Sequence, residues 1–515
     1  MRLIVTFVAE NIDSTSPEIP TTDEEVTGAS AQTQDQTQDE NGCWVDEESE
    51  SERQGTSPPQ SGFSVDVDLA RVSPGLTSLA ALISASTFSP AAGLKQLAND
   101  PRPFLSALPT SGSPELDILP EVTSSASVVA IEAPRLKDRV EALLFRHYVE
   151  NLAPWFDVTD PQQHFQIHVP ERALESNVLL DAILALSALN IGRLPRTELT
   201  QYVDVDPVLS EVYHTRCIGK LISLMNDKET AFDEDVLSAA VILRKFEEMN
   251  GKFHLFHISG QDCGHHLLGV AALFNSRSCA MTGGLAEAAF WQFVRQDAYM
   301  ALFTRQPPRI DFTKQDFIFS LSEASDSVWS NRVVFSTVMV ISYCFSGTAK
   351  SVDMWQALTD QVDMWDAQKP ASFRPIFAGQ PAVAEGRYWP EILFYTPWHA
   401  TGMQYYHLAK LLLCLYSPYV PPPGVGFEYA QAHRTMRDTV LFHTRALCGI
   451  AQSSHFATTR FFMCPIMQLC GGWFTDPDEQ RAILDLLHHA ENANGWPTKR
   501  TTKSLMRHWL IEMPP

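Results

Sequence analysis

"GGLAEAAFWQFVRQDAYMALFTRQPPRIDF", residues 283–312, decides how the chain is read. Two glycines precede an apolar run and two prolines close it. Trp291, Val294, Ala298 and Leu302 recur every three or four residues, with Ala288 and Ala301 alongside, which is the period of an α-helix over 285–305. Gln306-Pro307-Pro308 stops the helix, because proline lacks a backbone donor and its predecessor avoids helical geometry. Glu287, Gln292, Arg295, Gln296 and Arg305 lie mostly off the stripe. Arg295 carries five donors and can tie neighbouring chain ends together. No nucleophile or general base accompanies it, so the segment reads as a core helix with a structural arginine.

The same period extends from about residue 134 to the C-terminus. It predicts helices over 134–152, 161–170, 176–191, 206–225, 233–247 and 258–277 before this segment. After it come 325–347, 350–367, 394–416, 430–452, 456–470, 477–491 and 499–512. At 160–163, Asp160 reads as a cap, Pro161 as the first helical residue and Gln163 as the partner in a capping box. No pair of alternating strands flanks a tight turn. The fold class expected is all-α, one large multi-helix domain over 131–515.

Residues 1–130 differ in kind. They carry 20 acidic and 5 basic side chains and so hold −15 of the net charge of −23. Ser, Thr, Gln, Asp, Glu and Pro dominate 10–62, a composition that buries too little apolar surface to offset ordering entropy and predicts disorder. "FSVDVDLARV" (63–72) alternates acidic and apolar side chains, the mark of an activation segment, with a solvated linker or short edge strand as the plainer reading. The acidic balance repels phosphate backbones and gives no support for direct nucleic-acid binding. The apolar run Leu3–Ala9 is short for a secretory signal, and Phe7 stands where a small residue is needed. "VVFSTVMVISYCF" (333–345) is the nearest approach to a membrane span and is too short, so no membrane partner is expected. Nine cysteines without a CxxC pair read as reduced, buried thiols of an intracellular protein; Cys464 and Cys470 are read as core residues.

Motifs for phosphate loops, nucleophile elbows and zinc proteases are absent. Asn226, Thr230 and Glu234 stand at i, i+4 and i+8. On one continuous helix they would share a face, a spacing that resembles the Mg²⁺ triad of terpene cyclases. The only upstream aspartates that could face them, Asp157 and Asp160, fall in a turn, and 226–233 reads as a loop between helices. "HLFHISGQDCGHH" gathers His254, His257, Asp262, Cys263, His265 and His266, residue types that bind zinc, but Ser259-Gly260 interrupts the run. No metal and no cofactor are expected.

Six stretches carry a resemblance: "LLFRHYVENLAPWFDVTDPQQHF" (143–165), "LLDAILALSALNIGRL" (179–194), "VYHTRCIGKLI" (212–222), "DEDVLSAAVILRKFEEM" (233–249), "GHHLLG" (264–269) and "GGLAEAAFWQFVRQDAYMALFTRQPP" (283–308). In order and spacing they resemble the fungal-specific transcription factor domain that follows six-cysteine zinc clusters. The resemblance implies a nuclear, non-catalytic regulatory region governing activity, dimerisation or effector response. It implies partners among other transcription regulators or coactivators, and a homo- or heterodimer. The family's zinc cluster needs paired CxxC spacings; before Cys217 this chain has only Cys43, so DNA is expected to be reached indirectly, or through a cluster encoded upstream of this start. His265, Arg295, Gln296 and Tyr299 are the residues chosen to organise the regulatory core, with satisfied core polar groups as the plainer reading. Two rivals stay open: an all-α Mg-dependent enzyme like terpene cyclases, and an interaction scaffold outside transcription.

Overall fold

The computed structural model describes residues 135–195, 206–226, 233–251, 265–276, 278, 283–315, 317–419 and 424–511, with backbone alone at 207, 226 and 265–269. The acidic leader, its activation segment, and His254, His257, Asp262 and Cys263 lie outside the described residues. The described residues all fall in one unit of the chain.

The first helix, α1 (Arg139–His147), starts where the Asp138 carboxylate accepts the Val140 and Glu141 N–H groups. Sequence periodicity extends it to 152, yet from Tyr148 to Leu152 it widens into a π-turn and then tightens into a 3₁₀ turn, Ala153–Trp155. Pro154 supplies the reason: it cannot donate to the carbonyl four residues back, and its ring crowds that carbonyl. Helix α2 (His164–Ala173) begins three residues later than the capping-box reading places it, after Gln163 turns left-handed at φ 56°. Asp160 accepts from the Gln162 and His164 N–H groups, and Asp157 from Phe165 and Gln166. Two aspartates thus hold this helix start, and Gln163 stands at the cap position with no side-chain capping bond.

Helix α3 (Asn177–Arg193) is the hub of the N-terminal half. It packs against α1, α2, α4 (Pro207–Asn226) and α5 (Glu234–Asn250). Leu179, Ala182, Ile183, Leu184, Ala185 and Leu186 are all fully buried, as "LLDAILAL" demands of a helix apolar on every face. Asp181 is buried beside them and is held by Arg216 and Lys220 of α4, with Lys220 Nζ at 2.6 Å. After α6 (His265–Ser276) comes α7 (Leu285–Thr304), the segment that opened the sequence analysis.

The second half is built from α8 (Asp326–Phe345), α9 (Val352–Gln368), α10 (Pro397–Leu415) and α11 (Phe427–Ser453), then α12 (Ala457–Phe461), α13 (Met463–Cys470), α14 (Pro477–Asn494) and α15 (Lys499–Trp509). α10 lies between α8 and α11. Helix α8 is long and apolar enough to cross a membrane, beyond the shorter run read in the sequence. However, 83% of its apolar window is buried inside the protein, the surroundings of a core helix. A two-stranded antiparallel hairpin, β1 (Phe377–Gly379) and β2 (Glu391–Leu393), interrupts the helices and rests on α11. No strand is expected there from the sequence. The all-α class holds for the described residues apart from this hairpin.

Helix α7 joins the halves, packing on α5 and on α8 and α13. The predicted stripe is buried, but so are Gln292, Arg295, Gln296 and Asp297 off the stripe. Each of these side chains bonds to neighbouring groups, although Arg295 Nε and the Gln296 side-chain oxygen stay without a partner. Asp297 accepts the N–H groups of Arg309 (2.6 Å) and Ile310 (2.9 Å), folding the chain after Pro307-Pro308 back onto the helix. Arg305 ends the helix in a left-handed conformation, φ 54°, two residues before Pro307.

Candidate functional site

Three of the four chosen residues, Arg295, Gln296 and Tyr299, lie along one face of α7 and border one cavity of about 60 Å³; Arg295 also borders a second, of about 260 Å³, together with Thr159 and Asp160. The fourth, His265, stands at the start of α6, and its side chain lies outside the described residues.

Arg295 is almost wholly buried. Its guanidinium donates to the Thr159 hydroxyl (2.7 Å), the Phe156 carbonyl (3.2 Å) and the Gln292 side-chain oxygen (3.0 Å), while Nε has no partner. All three acceptors are neutral, and among the described residues no carboxylate pairs with it. Burial lowers its pKa to about 10, which still leaves it charged near neutrality. Asp157 and Asp160 are close enough for their charge to reach it. Asp157, however, uses both oxygens on backbone donors, and burial pushes its pKa up to about 7. Gln296 donates to the Val241 carbonyl (2.9 Å) and leaves its own oxygen unpartnered. The Tyr299 hydroxyl accepts from Trp496 Nε1 at 3.1 Å.

The remaining walls come from distant sequence. Lys245 of α5 pairs with Glu248 at 2.6 Å and lies over the Trp496 ring. Trp496 stacks on Phe461, with centroids 4.1 Å apart, and Trp155 meets both rings edge-on. Gln404 and Tyr405 of α10 close the opposite side. Gln404 is tied to the Thr459 carbonyl, whereas the Tyr405 hydroxyl has no partner among the described residues. Trp155 arrives through the π-turn of α1, and Trp496 follows Gly495, whose left-handed conformation (φ 64°) ends α14. Sequence reasoning missed Lys245, Tyr405 and Trp496, since nothing local marks them. Only the Asn494-Gly495-Trp496-Pro497 stop signal hints that an aromatic side chain is being aimed.

Other candidates separate. Asp233 is extended, ψ 139°, and caps α5, so Asn226 ends one helix and Glu234 begins another; no single helical face carries Asn226 and Glu234 together. Glu234 instead meets Arg172 at 3.2 Å. Thr230 lies outside the described residues. Among the described residues no three His, Cys, Asp or Glu side chains converge as a metal site. Cys464 and Cys470 are free, buried thiols whose pKa burial pushes up to about 12, far from the reactive range.

Residues 143–319 match the family described as the fungal specific transcription factor domain. The resemblance drawn from six short stretches therefore holds across α1 to α7. The chain is also 24% identical over 170 residues to a transcription activator, AMTR1, of Alternaria alternata. That similarity covers 31% of this chain and only 22% of the relative. No solved structure matches. The family segment supplies Trp155, Lys245 and the α7 residues of the cavity, and the chain beyond it supplies Gln404, Tyr405, Phe461 and Trp496.

Proposed function

We propose that this protein is a fungal-type transcriptional regulator whose helical body is a regulatory module acting in the nucleus by contact with other proteins. The match of 143–319 to the transcription factor domain carries this reading, and the similarity to a transcription activator agrees with it. The buried polar groups favour regulation over catalysis. Arg295, Gln296, Asp297 and Gln404 are committed to backbone and side-chain oxygens or N–H groups that hold helices together. Nucleophilic catalysis needs a nucleophile and a base within reach of each other, and among the described residues around this cavity no such pair is assembled. DNA would be engaged through a partner or an upstream zinc cluster, and the acidic leader would serve as the activating segment.

The test is a reporter assay in a fungal host. Residues 1–130 and, separately, 135–515 are fused to an unrelated DNA-binding domain. The leader fusion is expected to raise transcription, and the helical fusion to restrain or modulate it. If neither fusion changes reporter output, the regulator reading is lost and the scaffold takes its place.

A further inference from the structure

We propose that the cavity around Arg295 binds a small organic monoanion, a short-chain carboxylate whose carboxyl group meets Arg295 and whose tail lies among the aromatic rings. This rests on the regulatory reading above and names the effector chemistry that reading lacks.

Charge comes first. A buried guanidinium ordinarily pairs with a carboxylate, because an uncompensated charge in a low-dielectric interior is costly. Arg295 has three neutral acceptors and no ion pair among the described residues. The cavity's other cation, Lys245, is already neutralised by Glu248. Asp157 and Asp160 act on Arg295 from outside the wall, but no carboxylate lines the cavity, so the charge on its lining is positive, which disfavours cations and leaves a neutral ligand unable to offset it.

Size and shape narrow the class. About 60 Å³ holds about four to six water positions, which corresponds to roughly four to seven non-hydrogen atoms of an organic molecule. Benzoate and larger aromatic acids exceed that room. The rings of Trp155, Tyr405, Phe461 and Trp496 make most of the wall apolar, which suits an alkyl tail and disfavours phosphate or sulfate. Tyr405 supplies a second donor: its hydroxyl is unpartnered, and it is close enough to Arg295 for the guanidinium charge to act on it. Because α7 forms one wall and α10 with Trp496 the other, a bound carboxylate would bridge the family segment to the C-terminal half. It would stabilise the folded protein in proportion to its occupancy.

The experiment uses the full-length purified chain, with intrinsic tryptophan fluorescence and thermal melting as readouts. Butyrate is titrated against butyramide, butylammonium, benzoate and inorganic phosphate. Butyrate is expected to give a saturable fluorescence change and a raised melting temperature. Butyramide, of the same size, should bind at least about tenfold more weakly, because it lacks the charge that Arg295 requires. Arg295→Gln should lose the butyrate response. Tyr405→Phe, which keeps the ring and the packing, should weaken butyrate by about three- to tenfold. If Arg295→Gln does not fold, Tyr405→Phe and the butyrate–butyramide comparison decide alone. Equal binding of butyrate and butyramide, or no saturable response to acetate, propanoate, butyrate or pentanoate by the folded protein, overturns the proposal. These readouts involve no transcription. An active reporter with no binding refutes only this inference, and binding with a silent reporter refutes only the regulator reading.

Discussion

Trp496 Nε1 donates to the Tyr299 hydroxyl at 3.1 Å, across 197 residues of sequence. Asn190 Nδ2 and Arg193 Nε of α3 reach the carbonyls of Asn494 and Gly495 beside it, each at 2.9 Å. The C-terminal helices are thereby tied to the part of the chain that matches the transcription factor domain. Tyr299→Phe leaves the buried indole N–H without its acceptor and is expected to cost about 1–3 kcal/mol. Trp496→Ala also removes the stacking on Phe461 and is expected to cost about 3–5 kcal/mol. In both variants the whole helical body should melt in one shifted transition followed by circular dichroism. A separate early transition for the C-terminal helices would contradict the tie.

Asp181 gives an asymmetric prediction. Its side chain is buried, whereas Arg216 and Lys220, which hold it, are partly exposed. Removing both cations leaves a buried carboxylate unpaired, so Arg216→Ala with Lys220→Ala should destabilise by about 3–5 kcal/mol. Removing the acid leaves two cations already in reach of water, so Asp181→Leu, of similar volume, should stay within about 1–2 kcal/mol of the native protein. Urea unfolding of the two variants gives the order. A costlier Asp181→Leu would mean that the carboxylate has some further role.

Much of this architecture was readable because helices declare themselves by period. α7 was placed within a residue of its ends, since glycines and prolines bracket it. What the period does not carry is the character of each face. Gln292 and Gln296 fall off the apolar stripe, and the period says nothing of Asp297; the protein buries all three against partners that only tertiary structure supplies. The same limit hid the cavity. Arg295, Gln296 and Tyr299 share a helix and could be picked together, but Tyr405 and Trp496 join them only after the chain has folded back from more than 100 residues away. The hairpin escaped because strands of three residues are too short to show alternation.

That hairpin is seated by one glycine. At Gly449 in α11, a Cβ atom would stand 2.2 Å from the Pro390 carbonyl oxygen, far inside contact distance. Gly449→Ala is therefore expected to lift the 371–396 segment off α11 and cost about 1–3 kcal/mol, despite alanine's better helix propensity. Limited proteolysis should then cut within 377–393 faster than in the native protein. Unchanged cutting and unchanged stability would show that the helix yields instead.

The last prediction concerns acid. His407 of α10 and His443 of α11 face each other with their Nδ1 atoms 2.9 Å apart, so one ring must donate and the other accept. Burial, the neighbouring histidine and Lys369 lower the His407 pKa to about 3; burial and Lys410 lower that of His443 to about 4, with Asp363 opposing. Both folded values lie below the ordinary 6.5, so the unfolded chain binds more protons than the folded one between about pH 3 and 6.5. Stability from this pair is present above pH 6.5 and is lost as pH falls toward 3. Between pH 6.5 and 5 the loss should reach about 2–4 kcal/mol, at about 1.4 kcal/mol per pKa unit per histidine. His407→Leu with His443→Leu removes both titrations while keeping the interface filled. Denaturant midpoints measured across pH 4–7 should therefore fall steeply with acid in the native protein and much less in the double variant. Parallel pH profiles for the two would show that the histidine pair is not what makes the protein acid-sensitive.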